Sequence, residues 1–365
     1  MSTIYYLLIS TLEALYDVGG TDMHNSCSSI NNCTSSITSL QLQLQPYYIT
    51  NNIQRNCAYY HRYHNELHNN LCTNTLLQMR YLSSHNTRRG RRYQDPDMRV
   101  CQSIEGLTQM AHEHISTMSP RGMSAYWTLV SKLLRKSRFE KVQNIEQMNH
   151  QLEDILGHTL QDINSFGSRD LAQTALGLAK IIKNVSGADG KRLHRYGTPQ
   201  RVLYDLIVGE KEFIFKVLAE PSMAILHKFP PRELSNLIYA YGLAECVIKF
   251  EDGSTLFDVF AQAAIPNLHT FNGQDLSNML WAYANVKVPN SQLFEQAGDS
   301  IIATNNLNEF WPQALSNIIW AYATAGEQHP QLFKKVADHI ITLDKLDRYK
   351  PQELSNTLWA FANAG

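Results

Sequence analysis

One tripeptide, Leu-Ser-Asn, recurs four times at nearly constant spacing and limits what this chain can fold into more than any other feature. Its leucines are Leu234, Leu276, Leu315 and Leu354, at intervals of 42, 39 and 39 residues. A period near 40 marks an array of helical hairpins. Each copy has further landmarks. An aromatic stands five residues before the leucine (Phe229, Phe271, Phe310, Tyr349), and Pro or Gly stands three before it (Pro231, Gly273, Pro312, Pro351). Proline is tolerated in the first turn of a helix, so these positions predict helix starts.

Within one copy, Leu234, Leu237, Ile238 and Tyr241 follow the i, i+3, i+4, i+7 spacing of an apolar helix stripe. Ala240, Ala282, Ala321 and Ala360 keep one position small, which lets a neighbouring helix approach closely. The rings of Tyr239, Trp281, Trp320 and Trp359 flank the stripe and are expected to wedge between units; a base-stacking platform is the other reading. A second helix is predicted around Leu256-Phe257, Leu293-Phe294 and Leu332-Phe333. One hairpin cannot bury its apolar faces alone, and stacking on neighbours lets it do so.

Two looser copies lie upstream, with Phe166 five before Leu171 and Pro120 three before Met123, giving about six units. A Gly- and basic-rich insertion, Asn184 to Gln200, lengthens one step. The last copy is a first helix alone, so the array is expected to continue past Gly365 into a partner helix and a capping unit. The predicted fold is all-α: an α-solenoid of stacked helical hairpins, regular over 229–365 and degenerate over 111–228, after a largely disordered, low-complexity region over 1–110.

That first region is polar. Residues 23–94 hold seven Arg, no Lys and one acid, Glu66. Such a composition does not bury enough apolar surface to offset the entropy of ordering. Arg- and Ser-bearing, acid-poor sequence at an N-terminus is also the pattern of an organelle transit segment; a plain polar tail is the alternative. The run Arg88 to Arg92 reads first as solvated charge, with RNA phosphate contact or a processing site behind it. His61, His64 and His68 share one face if a helix forms there, but nothing around them suggests a rigid metal site, and His112 with His114 is a weaker candidate still. Cys27, Cys33, Cys57, Cys72, Cys101 and Cys246 form no CxxC pair, so neither a disulfide framework nor a zinc cluster is expected. No apolar run approaches a membrane span.

The net charge of −1 conceals an uneven distribution. Residues 121–228 hold 16 Lys+Arg against 11 Asp+Glu, while residues 229–365 hold 8 against 14. The basic stretch supplies candidate phosphate contacts at Lys132, Arg135, Lys136 and Arg138, with Lys191, Arg192 and Arg195 in the insertion. The acidic end argues against a uniformly basic groove. On the helical wheel, a polar arc opposite the apolar stripe offers base-facing candidates at Arg232, Asn236, Gln274, Asn278, Asn285, Gln313, Asn317, Thr324, Gln352 and Asn356, and includes Glu233, Asp275, Ala314 and Glu353. Asn and Gln carry both donors and acceptors and so read base edges. The four Leu-Ser-Asn asparagines are identical, which does not distinguish bases; bridging between helices is their competing role. No P-loop, GxSxG, HExxH or kinase motif set appears, so no catalysis is expected.

Leu-Ser-Asn followed by aromatic-Ala-aromatic, four times over, resembles the organellar helical-repeat families: the octotricopeptide and heptatricopeptide repeats and the repeats of FAST-kinase-like proteins. The match is close over 229–365 and looser back to about 111. The resemblance implies a solenoid that binds single-stranded RNA, without catalysis or cofactor, in mitochondrial RNA processing, stability or translation. It implies the mitochondrial matrix, or otherwise the chloroplast stroma, with organellar ribonucleoprotein components as partners. It also implies a C-terminal RAP domain in many relatives. A protein-interaction scaffold is the alternative.

Overall fold

A computed structural model of the chain describes residues 93–136, 141–186, 197–288 and 290–364. The expectations for disorder over residues 1–92, a transit segment, Arg88 to Arg92, His61, His64 and His68, and the first four cysteines all lie outside the described residues. So do Arg138, Lys191, Arg192 and Arg195.

The fold is all-α. Thirteen α-helices are found among the described residues: α1 (Ile104–His114), α2 (Pro120–Lys136), α3 (Ile145–Gln161), α4 (Ser168–Ser186), α5 (Pro199–Leu203), α6 (Lys211–Ala224), α7 (Pro231–Ala244), α8 (Leu256–Ala264), α9 (Gly273–Val286), α10 (Ser291–Ala303), α11 (Pro312–Ala325), α12 (Pro330–Ile341) and α13 (Pro351–Asn363). No helix among them is long and apolar enough to cross a membrane. Order begins before the predicted boundary at 111, because Ser103 caps α1 by accepting from the Gly106 N–H and Ile104, Leu107 and Ala111 bury its inner face.

The described residues fall into two compact units, and the chain passes from one to the other between Phe260 and Ala261, in α8. In the N-terminal unit the first helices of successive repeats pack side by side, α2 on α4 and α4 on α7, while α1 packs on α3. In the C-terminal unit α9 packs on α11 and α11 on α13, with α10 against α12. Each unit is therefore built of stacked hairpins, and the repeat leucines and small residues hold the stacks together. Leu276, Leu315 and Leu354 are buried, and Ala282, Ala321 and Ala360 are fully so.

In the looser repeats Gly177 takes the small position of α4. A Cβ there would lie 2.9 Å from the carbonyl carbon of Trp127 on α2, so the two helices meet backbone to side of chain. Ser235, Ser277 and Ser316 are buried between helices, whereas Ser355 of the last tripeptide is exposed. Ser316 on α11 donates to the Glu353 carbonyl on α13 at 3.1 Å, and Ser124, at the same register in α2, reaches the Asp170 carboxylate on α4 at 3.4 Å.

The insertion is shorter than its sequence suggests. Helix α4 runs to Ser186, and α5 followed by a π-helical turn, Tyr204–Val208, begins at Pro199. Cys246 is buried, and burial together with the nearby Glu212 carboxylate pushes its thiol up to about 12.

Candidate nucleic-acid interface

Helix geometry fixes which side chains each first helix leaves in water. Relative to the anchor leucine, positions −2, +2, +5 and +9 recur at spacings of four, three and four, one face of a helix. Among the described residues this face is exposed or half-buried. Position −2, held by Arg232, Gln274, Gln313 and Gln352, is exposed in every copy. Asn236, Asn278, Asn317 and Asn356 at +2 are half-buried in every copy. At +9, Asn285 and Thr324 are half-buried and Asn363 is exposed.

Two parts of the predicted arc are corrected. Position −1 does not belong to it. Asp275 and Glu353 are buried because they cap their own helices: Asp275 accepts from the Asn272 N–H at 3.2 Å and Glu353 from the Lys350 N–H at 2.9 Å. Ala314 is buried as well, and Glu233 is half-buried. The aromatic column at +5 does belong to it. Tyr239, Trp281 and Trp320 are half-buried and Trp359 is 44% exposed, while the neighbouring +4 side chains Ile238, Leu280 and Ile319 fill the core. The rings are thus surface rungs and not wedges; Trp320 and Trp359 meet across α11 and α13 at 6.5 Å between centroids with a 36° tilt.

The four tripeptide asparagines make no hydrogen bond among the described residues, so their amides do not bridge helices. Each carries a free donor pair and a free acceptor on a half-open surface. Thr324 adds a buried hydroxyl without a hydrogen-bond partner.

The acidity of the last third lies elsewhere. Glu295 and Asp299 on α10, Asp338 on α12, and Glu309, Asp344 and Asp347 in the turns are exposed. Helices α9, α11 and α13 carry only the two buried capping acids. The polar face of these helices is therefore uncharged amide, hydroxyl and indole, and the composition argument against a polyanion ligand does not apply to it.

In the N-terminal unit the same register is basic. Arg121, Arg169 and Arg232 occupy −2 on α2, α4 and α7, and all three are exposed. Lys132 and Lys180 occupy +9, with Arg135 and Lys183 one turn further, and all four are exposed. Burial of its stem, then the neighbouring Arg135 and Lys132 charges, hold the Lys180 ammonium below the usual lysine range. Lys132 and Arg135 on α2 thus stand near Lys180 on α4, which packs against it. Lys136 is exposed at the end of α2, one residue beyond Arg135. Sequence reasoning found Lys132 and Arg135 but missed Lys180 and Lys183, whose place beside them depends on α2 packing against α4.

Among the remaining candidates, His114 donates from Nδ1 to the Met110 carbonyl at 3.0 Å, and His112 turns towards α3. Searched against models of protein families and against curated proteins, the chain matches none.

Proposed function

We propose that this chain binds single-stranded RNA without catalysis, gripping phosphates with the basic face of its N-terminal unit and contacting bases with the amide-indole face of its C-terminal unit. The observation that carries this reading is the exposed to half-buried face of the first helices. It presents the four tripeptide asparagine amides, which make no hydrogen bond among the described residues, with exposed glutamines and half-open indoles, and every exposed acid of the C-terminal unit is placed on other helices and turns. Single-stranded nucleic acid is bound by that combination: rings that stack bases, amides that pair with their edges, and cations that track the backbone.

The cations beside Lys180 support the same reading. Cations that repel one another gain from a polyanion laid across them, and bound counterions are released as it binds. The setting that goes with this activity is an organelle with its own transcripts, the mitochondrial matrix ahead of the chloroplast stroma.

The test is binding of the full chain to a pool of short single-stranded RNAs across a salt series, beside a chain carrying Lys132→Gln, Arg135→Gln and Lys180→Gln. Each phosphate contact removed should flatten the dependence of log affinity on log salt by about 0.7. An enriched sequence in the bound pool supports base contacts. Binding unaffected by the triple substitution removes the phosphate half of the reading, and no binding at low salt removes all of it in favour of a protein scaffold.

A further inference from the structure

A cluster of metal-ligating side chains lies on helices that the RNA-binding reading does not use. His112 sits in the last turn of α1; His150 and Asp154 sit one turn apart on α3, which packs against α1. The Asp154 Oδ2 is 3.1 Å from His112 Nε2 and 3.1 Å from His150 Nδ1. The two imidazoles meet edge to face with centroids 6.3 Å apart, and one ligand atom from each of the three residues lies within 4.8 Å of the other two.

We infer that His112, His150 and Asp154 form a binding site for one divalent transition-metal cation of the zinc type. The donor set is two imidazole nitrogens and one carboxylate oxygen, which borderline cations take in preference to calcium or magnesium. Bonds of about 2.0–2.1 Å to a tetrahedral ion place its ligand atoms about 3.3 Å apart, close to the spacing found around Asp154. The ion takes the place of the hydrogen bond between His112 and this carboxylate.

The scaffold is fixed and the mouth is open. Leu107 and Ala111 on α1, and Met148, Leu152 and Ile155 on α3, are buried and hold the two helices together. The side chains of His112 and Asp154 are about one-third exposed and that of His150 two-thirds, so a cation enters from solvent and keeps a water as its fourth ligand. Bound there, the ion ties α1 to α3 across a sequence gap that no other covalent or metal link spans among the described residues. The inference does not rest on RNA binding.

The experiment uses the full chain, stripped with a chelator and titrated with Zn²⁺ by calorimetry and with Co²⁺ by visible absorption. Three variants accompany it: His150→Ala, His112→Ala and Asp154→Asn, each checked for helix content by circular dichroism. The expected result is one equivalent bound, a four- or five-coordinate Co²⁺ spectrum, and a rise in melting temperature with Zn²⁺. Affinity should fall at least about tenfold in each variant. His150 is the most exposed of the three, so its loss leaves folding intact and keeps the test decisive. Unchanged Zn²⁺ affinity in His150→Ala places the ion elsewhere, at His61, His64 and His68 for example, and overturns the inference; so does the absence of binding at millimolar Zn²⁺.

Discussion

The Tyr322 hydroxyl on α11 donates to the Phe294 carbonyl on α10 at 2.5 Å, with the two rings edge to face at 5.0 Å. Tyr241 and Phe215 repeat the relationship in the N-terminal unit, at 2.7 Å and 4.9 Å. Phe361 keeps the edge contact, to Phe333 at 5.4 Å, and has no hydroxyl to donate. The ring therefore carries the packing and the hydroxyl adds to it. Tyr322→Phe is expected to cost about 1 kcal/mol in denaturant unfolding, and Tyr322→Ala about 3–5 kcal/mol. Equal losses in the two variants would show that the hydrogen bond, and not the ring, holds the hairpins together.

At Gly177 the opposing atoms are Trp127 backbone, which does not rotate away. Gly177→Ala raises helix propensity and yet is expected to destabilise the N-terminal unit by about 1–3 kcal/mol through overpacking. A more stable alanine variant would mean that α2 and α4 separate easily.

The helices end alike, and their sequences differ at the end. Glu245, Lys287 and Gly326 share one register and all have positive φ, at 52°, 57° and 72°. The residue after each donates its N–H to the carbonyl of Tyr241, Tyr283 or Tyr322, closing the helix in a left-handed turn. Only glycine takes this conformation without a Cβ penalty. Glu245→Gly and Lys287→Gly are each expected to raise stability by about 1 kcal/mol, read from the unfolding midpoint.

Cys246 sets a limit in alkali. Its folded thiol titrates at about 12 against an ordinary 9.0, so the unfolded chain releases the proton first. Its contribution to stability is complete below pH 9.0 and is lost as pH rises from there towards 12. Stability measured between pH 9 and 10 should fall more steeply in the native chain than in Cys246→Ala. At pH 8, peptide-resolved alkylation should mark Cys101, which is half-buried, well before Cys246.

On the candidate interface, Trp359→Ala removes an exposed ring without touching the core. It is expected to weaken single-stranded RNA binding by about 1–3 kcal/mol, the contribution of one stacked base. If the Asn317 amide meets an RNA base, as proposed, Asn317→Ala should also weaken binding, by loss of its donors and acceptor. Retention of affinity in both variants would show that this face is not where RNA lies.

Much of this architecture is written locally. Pro231, Pro312 and Pro351 open their helices, and the buried leucines and alanines repeat at the predicted intervals. What sequence could not reveal depends on neighbours. The helical wheel places Asp275 and Glu353 near the polar arc, and only the capping geometry shows that they turn back on their own N-termini. The tryptophans flank the apolar stripe and so read as wedges between units, yet the +4 aliphatic side chains fill that space. Lys180 joins Lys132 and Arg135, and Asp154 joins His112, only after hairpins distant in sequence have stacked.

The separation of charge in the C-terminal unit has a kinetic side. The exposed acids on α10 and in the turns would repel a polyanion such as RNA, while α9, α11 and α13 offer it no exposed like charge. On the proposed reading, encounters of RNA with the acidic side are disfavoured, and those on the open side leave time for an indole or amide to engage. Such steering acts on association rate, and it fades as ionic strength rises and the acidic layer is screened.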